Sequence, residues 1–177
     1  MRNLSLSLLA FVLPLFTMAQ DIIPVNQVIL DTNIDQEVLY GTCTLDGVRD
    51  FHLFSPFYIE EYENYSPDIE TLAHFQGELA TCDITIVLGT WCDDSRMQVP
   101  RFIRILDEVG YETDKVTFIA TDRKKNAPVP GFTDLGIERV PTFILTFEGR
   151  ELGRIVETPV ETLERDLMGI LGGGGDE

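Results

Sequence analysis

The stretch DITIVLGTWCDDSRMQVP, Asp83 to Pro100, decides the fold. Ile84 to Leu88 is an unbroken apolar run, the pattern of a strand covered on both faces. Gly89 breaks it, and Trp91-Cys92-Asp93-Asp94-Ser95 follows. Val99, Phe102, Ile103, Leu106 and Val109 then keep helical spacing until Gly110, with Pro100 as a kink point. A strand thus feeds a helix with a cysteine at the junction. The unpaired N–H groups and partial positive charge of a helix N-terminus favour a thiolate, so Cys92 is the candidate nucleophile. Asp93 and Asp94 oppose that effect.

Outward from this stretch, the chain alternates. Ser66-Pro67 starts a helix predicted to run to about Leu79, and Val116 to Ala120 is the strand after the motif. Thr133 to Gly136 holds a helical turn. Pro141 to Phe147 and Glu151 to Val156 form a hairpin around Glu148-Gly149-Arg150. Thr158-Pro159-Val160-Glu161 has the form of a capping box for a last helix, whose buried stripe is Val160, Leu163, Leu167, Ile170 and Leu171. Upstream, Asp46-Gly47 between β-forming runs predicts a hairpin of Glu37–Leu45 with Val48–Phe54. Gln20 to Gln36 reads as a leader with one edge strand, and Ser55-Pro56 opens a short aromatic helix over Phe57–Tyr65, where Phe57, Tyr58, Tyr62 and Tyr65 are expected to pack. The fold class is α/β, a mixed central sheet with helices on both faces.

Residues 1–19 carry Arg2, an apolar run from Leu4 to Leu13 and small residues at Thr17 and Ala19, the layout of a signal peptide cut near Ala19. The run is too short to span a membrane comfortably, and Pro14 interrupts it. The expected organisation is signal peptide 1–19, N-terminal extension and first strands 20–54, main domain 55–171 and flexible tail 172–177. The product would be exported, to a periplasm or outside the cell, where disulfides persist. The net charge is −17, and removal of Arg2 makes it −18. That excludes the basic surface nucleic acids and anionic membranes require. His52 and His74 have no metal-ligand spacing to a cysteine, so neither a metal nor a cofactor is expected.

Together, Trp91-Cys92-Asp93-Asp94-Ser95, Pro100 eight residues after the cysteine, and Val140-Pro141-Thr142 resemble the thioredoxin family, specifically its exported members. The resemblance covers roughly Pro67 to Leu171. It implies a thioredoxin-like fold, a cis-proline at Pro141 facing the sulfur, and substrate docking along Val140, Pro141 and Thr142. It further implies a catalytic role for Cys92, with Trp91 shielding the sulfur; Ser95, the other catalytic candidate, offers its hydroxyl to the sulfur or is an ordinary first-turn serine. Two departures stand out. Ser95 replaces the second cysteine of the family's CxxC, and Ile86 replaces its buried acid. Attack by Cys92 to form a mixed disulfide survives; release then needs another thiol. The implied activity is monothiol thiol–disulfide exchange on cysteine-containing envelope proteins or small thiols. The alternative is a non-catalytic binding protein with the same groove. A peroxide-reducing monothiol enzyme lacks its arginine–threonine constellation here.

Cys82 and Cys92 fall at opposite ends of the central strand, on the order of 25 Å apart. Cys43 is left open between pairing with Cys82, resolving Cys92 and remaining free. Parallel strands would bring the loop Arg123-Lys124-Lys125 to the Cys92 edge, where it offsets Asp93 and Asp94, attracts an acidic partner, or is simply solvated.

Overall fold

The computed structural model describes residues 24–172; the expected signal peptide, and the tail beyond Gly172, lie outside them. Six strands form one sheet in the order β1-β2-β4-β3-β5-β6, with β1 at Gln27–Asp31 and β2 at Gln36–Cys43. β3 (Asp83–Leu88) pairs in parallel with β4 (Thr117–Ala120) and antiparallel with β5 (Thr142–Phe147). β5 in turn pairs antiparallel with β6 (Arg150–Val156). The crossover between the parallel strands is α5 (Asp93–Glu108), and α6 (Leu163–Gly172) closes the chain. A parallel pair needs such a crossover, whereas the β5–β6 pair needs only its tight turn. This β-α-β, β-β-α arrangement is the thioredoxin-like fold.

The sheet separates two unequal packing layers. On one face Ile84, Ile86, Leu88, Phe118, Phe143 and Leu145 meet Val99, Phe102, Ile103 and Leu106 of α5 and Leu163, Leu167 and Leu171 of α6. Phe102 stacks on Phe143 with ring centroids 4.4 Å apart. On the other face Val87 and Ile119 meet Phe132 and Val140, flanked by Ala127, Val129, Leu135 and Ile137. There a single 3-10 turn (Phe132–Leu135) and its flanking coil do the covering. Ile86 is fully buried among apolar neighbours.

Three sequence expectations need correction. The N-terminal hairpin is β1 (Gln27–Asp31) with β2 (Gln36–Cys43), not a hairpin around Asp46-Gly47. Those two residues lie in α1 (Leu45–Asp50), because Thr44 accepts the Gly47 N–H at 3.0 Å and caps a helix there. The Asn26 amide fills the space a Cβ at 47 would need, so glycine is required for packing rather than for a turn. The single helix from Pro67 is two one-turn pieces, α3 (Ile69–Leu72) and α4 (Gln76–Leu79). Buried Glu164 accepts from Tyr65 Oη at 2.9 Å and from Asp68 N–H at 3.1 Å, holding this segment extended so that Asp68 becomes the cap. Finally, the last helix is capped by Thr162, not Thr158, with Arg165 N–H donating to its Oγ1 at 3.2 Å. Asp166 accepts the N–H groups of Val160 and Glu161, which bends them off the helix and leaves Val160 93% exposed. The aromatic helix is present as α2 (Ser55–Asn64), bound to α5 by Arg101–Glu61 at 2.7 Å and Tyr62 Oη to Asp107 at 2.6 Å. Tyr58 is buried in the core, whereas Phe57 is 42% exposed.

Phe102→Ala should lower unfolding free energy by about 4 kcal/mol, the usual cost of emptying a buried aromatic site, measured by urea denaturation. A second expectation concerns Cys43, whose thiol burial pushes up from its ordinary 9.0 to about 11. The folded state then holds a proton that the unfolded chain releases. The associated stability is complete below pH ~9 and is lost as pH rises through about 11, on the order of 2–3 kcal/mol. Urea midpoints at pH 8 and pH 11, taken in reductant, should fall more for the wild type than for Cys43→Ala; equal falls would contradict the assignment.

Candidate functional site

Cys92 is the N-cap of α5, in extended conformation, with its N–H donating to Gly89 O at 2.9 Å. Its thiol is half-buried and donates to Val140 O at 3.2 Å. The chain is therefore turned by Gly89 and stopped by the helix so that the sulfur faces the start of β5. The Val140–Pro141 peptide bond is cis. Pro141 O accepts from Glu157 N–H at 2.7 Å, and Thr142 Oγ1 donates to Arg139 O at 2.7 Å. Val140, Pro141 and Thr142 are all buried, so what this segment offers the sulfur is main chain, not side chains.

Trp91 is half-buried and donates from Nε1 to Thr121 O at 2.9 Å. Its ring lies where a Cβ on residue 89 would come within 2.6 Å, which accounts for glycine at that position. Ser95 is fully buried, and its Oγ accepts the Gly89 N–H at 3.2 Å. Among the described residues no hydrogen bond joins Ser95 to the sulfur. Its hydroxyl supports the strand-to-helix turn. Asp93 is open to solvent and pairs with Arg96 at 3.1 Å, while Arg96 also donates from Nε to Thr90 O at 3.1 Å and lies over the Phe57 ring.

The parallel register sets Leu88 beside Ala120, and Thr121 N–H continues the pairing to Leu88 O at 2.9 Å. The loop after β4 thus emerges beside Trp91, as the strand geometry predicts, and the Arg123 guanidinium lies 4.4 Å from the Trp91 ring centre. The N-terminal hairpin supplies residues that sequence reading missed. Asp31, 3% exposed, accepts Arg123 N–H at 2.6 Å and binds its own turn through Asn33. Burial raises the Asp31 pKa, but these hydrogen bonds and nearby Lys124 outweigh it and hold the carboxyl below its ordinary value. Leu39 N–H donates to Thr90 Oγ1 at 3.2 Å, tying β2 to the motif. Ile34, Gln36, Trp91, Cys92, Asp93, Asp94 and Arg123 line an open groove of about 350 Å³. The signal was the polar turn Asp31-Thr32-Asn33 between two β-forming runs.

The other two thiols are remote. Cys43 stands opposite Phe118, which stands opposite Ile86, so it lies two strands over and four residues along from Cys82. That is roughly 16 Å, against the ~4.4–6.8 Å a disulfide allows between Cα atoms. Cys82 ends the loop before β3, at the far end from Cys92. All three cysteines are free, and Cys43 and Cys82 are 5% and 4% exposed. Burial also raises the Cys82 pKa. Among the described residues no cluster of three His, Cys, Asp or Glu side chains is arranged to hold a metal ion. Brief iodoacetamide treatment at pH 8 should label Cys92 alone in the native protein and all three thiols in denaturant, read by peptide mass mapping.

No family profile and no curated protein matches the chain. Similar solved structures include oxidised mitochondrial thioredoxin 3 from Saccharomyces cerevisiae, 18% identical over 58% of this chain and 89% of that one, with a TM-score of 0.37. Fasciola hepatica thioredoxin is 19% identical over 60% and 90%, with a TM-score of 0.38. A Pseudomonas aeruginosa protein of unknown function is 16% identical over 68% and 73%, with a TM-score of 0.41.

Proposed function

We propose that this chain is an exported monothiol protein of thiol–disulfide exchange, acting through Cys92 on cysteine-containing envelope proteins or small thiols. The observation that carries the reading is the contrast among its thiols. Cys92 opens a helix in a groove with its sulfur accessible, while Cys43 and Cys82 are packed away. A thiol at a helix N-terminus has aligned N–H groups to stabilise the developing thiolate. The leader at residues 1–19 supports export. Among the described residues no helix is long and apolar enough to cross a membrane.

The Cys92 thiol gives up its proton to solvent, and the sulfur attacks one sulfur of a partner disulfide. A Cys92–S–S–R bond forms, the partner S–S bond breaks, and the second partner sulfur leaves as thiolate and takes up a proton. Ser95 has no sulfur with which to close the cycle. An outside thiol must attack the partner sulfur of the mixed disulfide: a disulfide between the outside thiol and the partner forms, the Cys92 S–S bond breaks, and the Cys92 sulfur leaves as thiolate and takes up a proton.

The test is reduction of a glutathionylated peptide with reduced glutathione as the outside thiol. Cys92→Ser should bring the rate to the uncatalysed background, whereas Cys43→Ala and Cys82→Ala should each keep at least about half of it, as remote buried positions should. Full retention of rate in Cys92→Ser would end the enzymatic reading and leave the groove as a binding surface.

A further inference from the structure

We infer that Arg123 is a specificity-determining residue that binds a carboxylate of the substrate next to its disulfide, so that Cys92 acts preferentially on disulfides flanked by negative charge. This rests on the exchange activity proposed above and names its substrate class. Three independent observations converge on Arg123. In this acidic chain, the cations without a carboxylate within 4.0 Å, among the described residues, are Arg123, Lys124, Lys125 and Arg150. Three of the four are consecutive and leave β4 at the edge where Cys92 sits.

Second, Arg123 is held at both ends. Its N–H is bound by buried Asp31, and its guanidinium rests over the Trp91 ring. Among the described residues that guanidinium donates no hydrogen bond, so its planar set of N–H donors is pre-positioned and unused. Third, it lines the same groove as Cys92, with Ile34 of the β1–β2 turn and Gln36 at the start of β2. The acidic groups of the groove are already provided for. Asp93 is paired with Arg96, and Asp94 lies in the first turn of α5, where the helix dipole favours a carboxylate. Arg123 is the cation of this groove, without a carboxylate partner among the described residues, and a substrate carboxylate supplies one. The reaction is the exchange already written, with the leaving thiolate protonated by solvent.

The test compares three small symmetrical disulfides on the full chain: 3,3′-dithiodipropionate (anionic), 2-hydroxyethyl disulfide (neutral) and cystamine (cationic). The rate of mixed-disulfide formation at Cys92 is read by intact mass and by fluorescence of Trp91, the single tryptophan. Arg123→Gln should slow the anionic disulfide roughly tenfold, the size of one lost charge-assisted pair, and leave the neutral one unchanged. Arg123→Lys should fall between. A Cys-peptide disulfide with Glu beside the cysteine, compared with its Gln counterpart, distinguishes a protein carboxylate from that of a small thiol. An equal effect of Arg123→Gln on all three disulfides, or none on the anionic one, overturns the inference while leaving the exchange activity standing. Failure of Cys92 to react with any of them overturns both.

Discussion

The parallel pairing of β3 with β4 is the constraint on which the rest depends. Leu88 stands beside Ala120, and Thr121 N–H extends the ladder by donating to Leu88 O. Parallel strands end on the same edge of the sheet, so the turn carrying Cys92 and the loop carrying Arg123 emerge side by side. Trp91 joins them, bonded through Nε1 to Thr121 O and covered by the Arg123 guanidinium. The antiparallel β3–β5 pairing, Val87 opposite Thr142, then brings Val140 O against the sulfur. The site is assembled by strand register before any of its side chains is considered.

Most of this register was legible. The apolar run Ile84–Leu88, the helical spacing after it and the hairpin around Glu148-Gly149 each have one dominant local cause, and each element is present within a residue or two. Expectations failed where two local signals competed and a distant partner chose between them. Asp46-Gly47 is a good turn pair, but Thr44 can cap a helix, and Asn26 takes the space that only glycine leaves. Thr158-Pro159 looks like a helix start, but Asp166 reaches back to the N–H groups of Val160 and Glu161. Glu164 decides the start of α3 from nearly a hundred residues away. None of these choices is visible within a short window of sequence.

The candidate site divides in the same way. Trp91, Cys92 and the Val140–Thr142 segment come together as the family resemblance implies, whereas Asp31, Ile34, Gln36 and their link to Thr90 were hidden because the sequence points to a later first hairpin. That hairpin builds the second wall of the groove. β2 pairs antiparallel with β4, and its partner β1 ends in Asp31, whose carboxylate is satisfied by two turns at once. A buried acid with this many donors is a tie between loops, which explains how an edge hairpin holds a position beside the thiol.

Ser95 bears on how this thiol differs from one half of a dithiol pair. Its oxygen is sealed from solvent and bound to Gly89 N–H, at the point where the strand gives way to the helix. A sulfur in place of that oxygen would put a larger, weaker acceptor in a filled space and would loosen the turn that aims Cys92. Under the exchange reading, a partner once captured has no internal exit, and its residence time is set by the thiols of the surroundings. Such a protein reports the reducing state of its compartment in the fraction of its molecules that remain occupied.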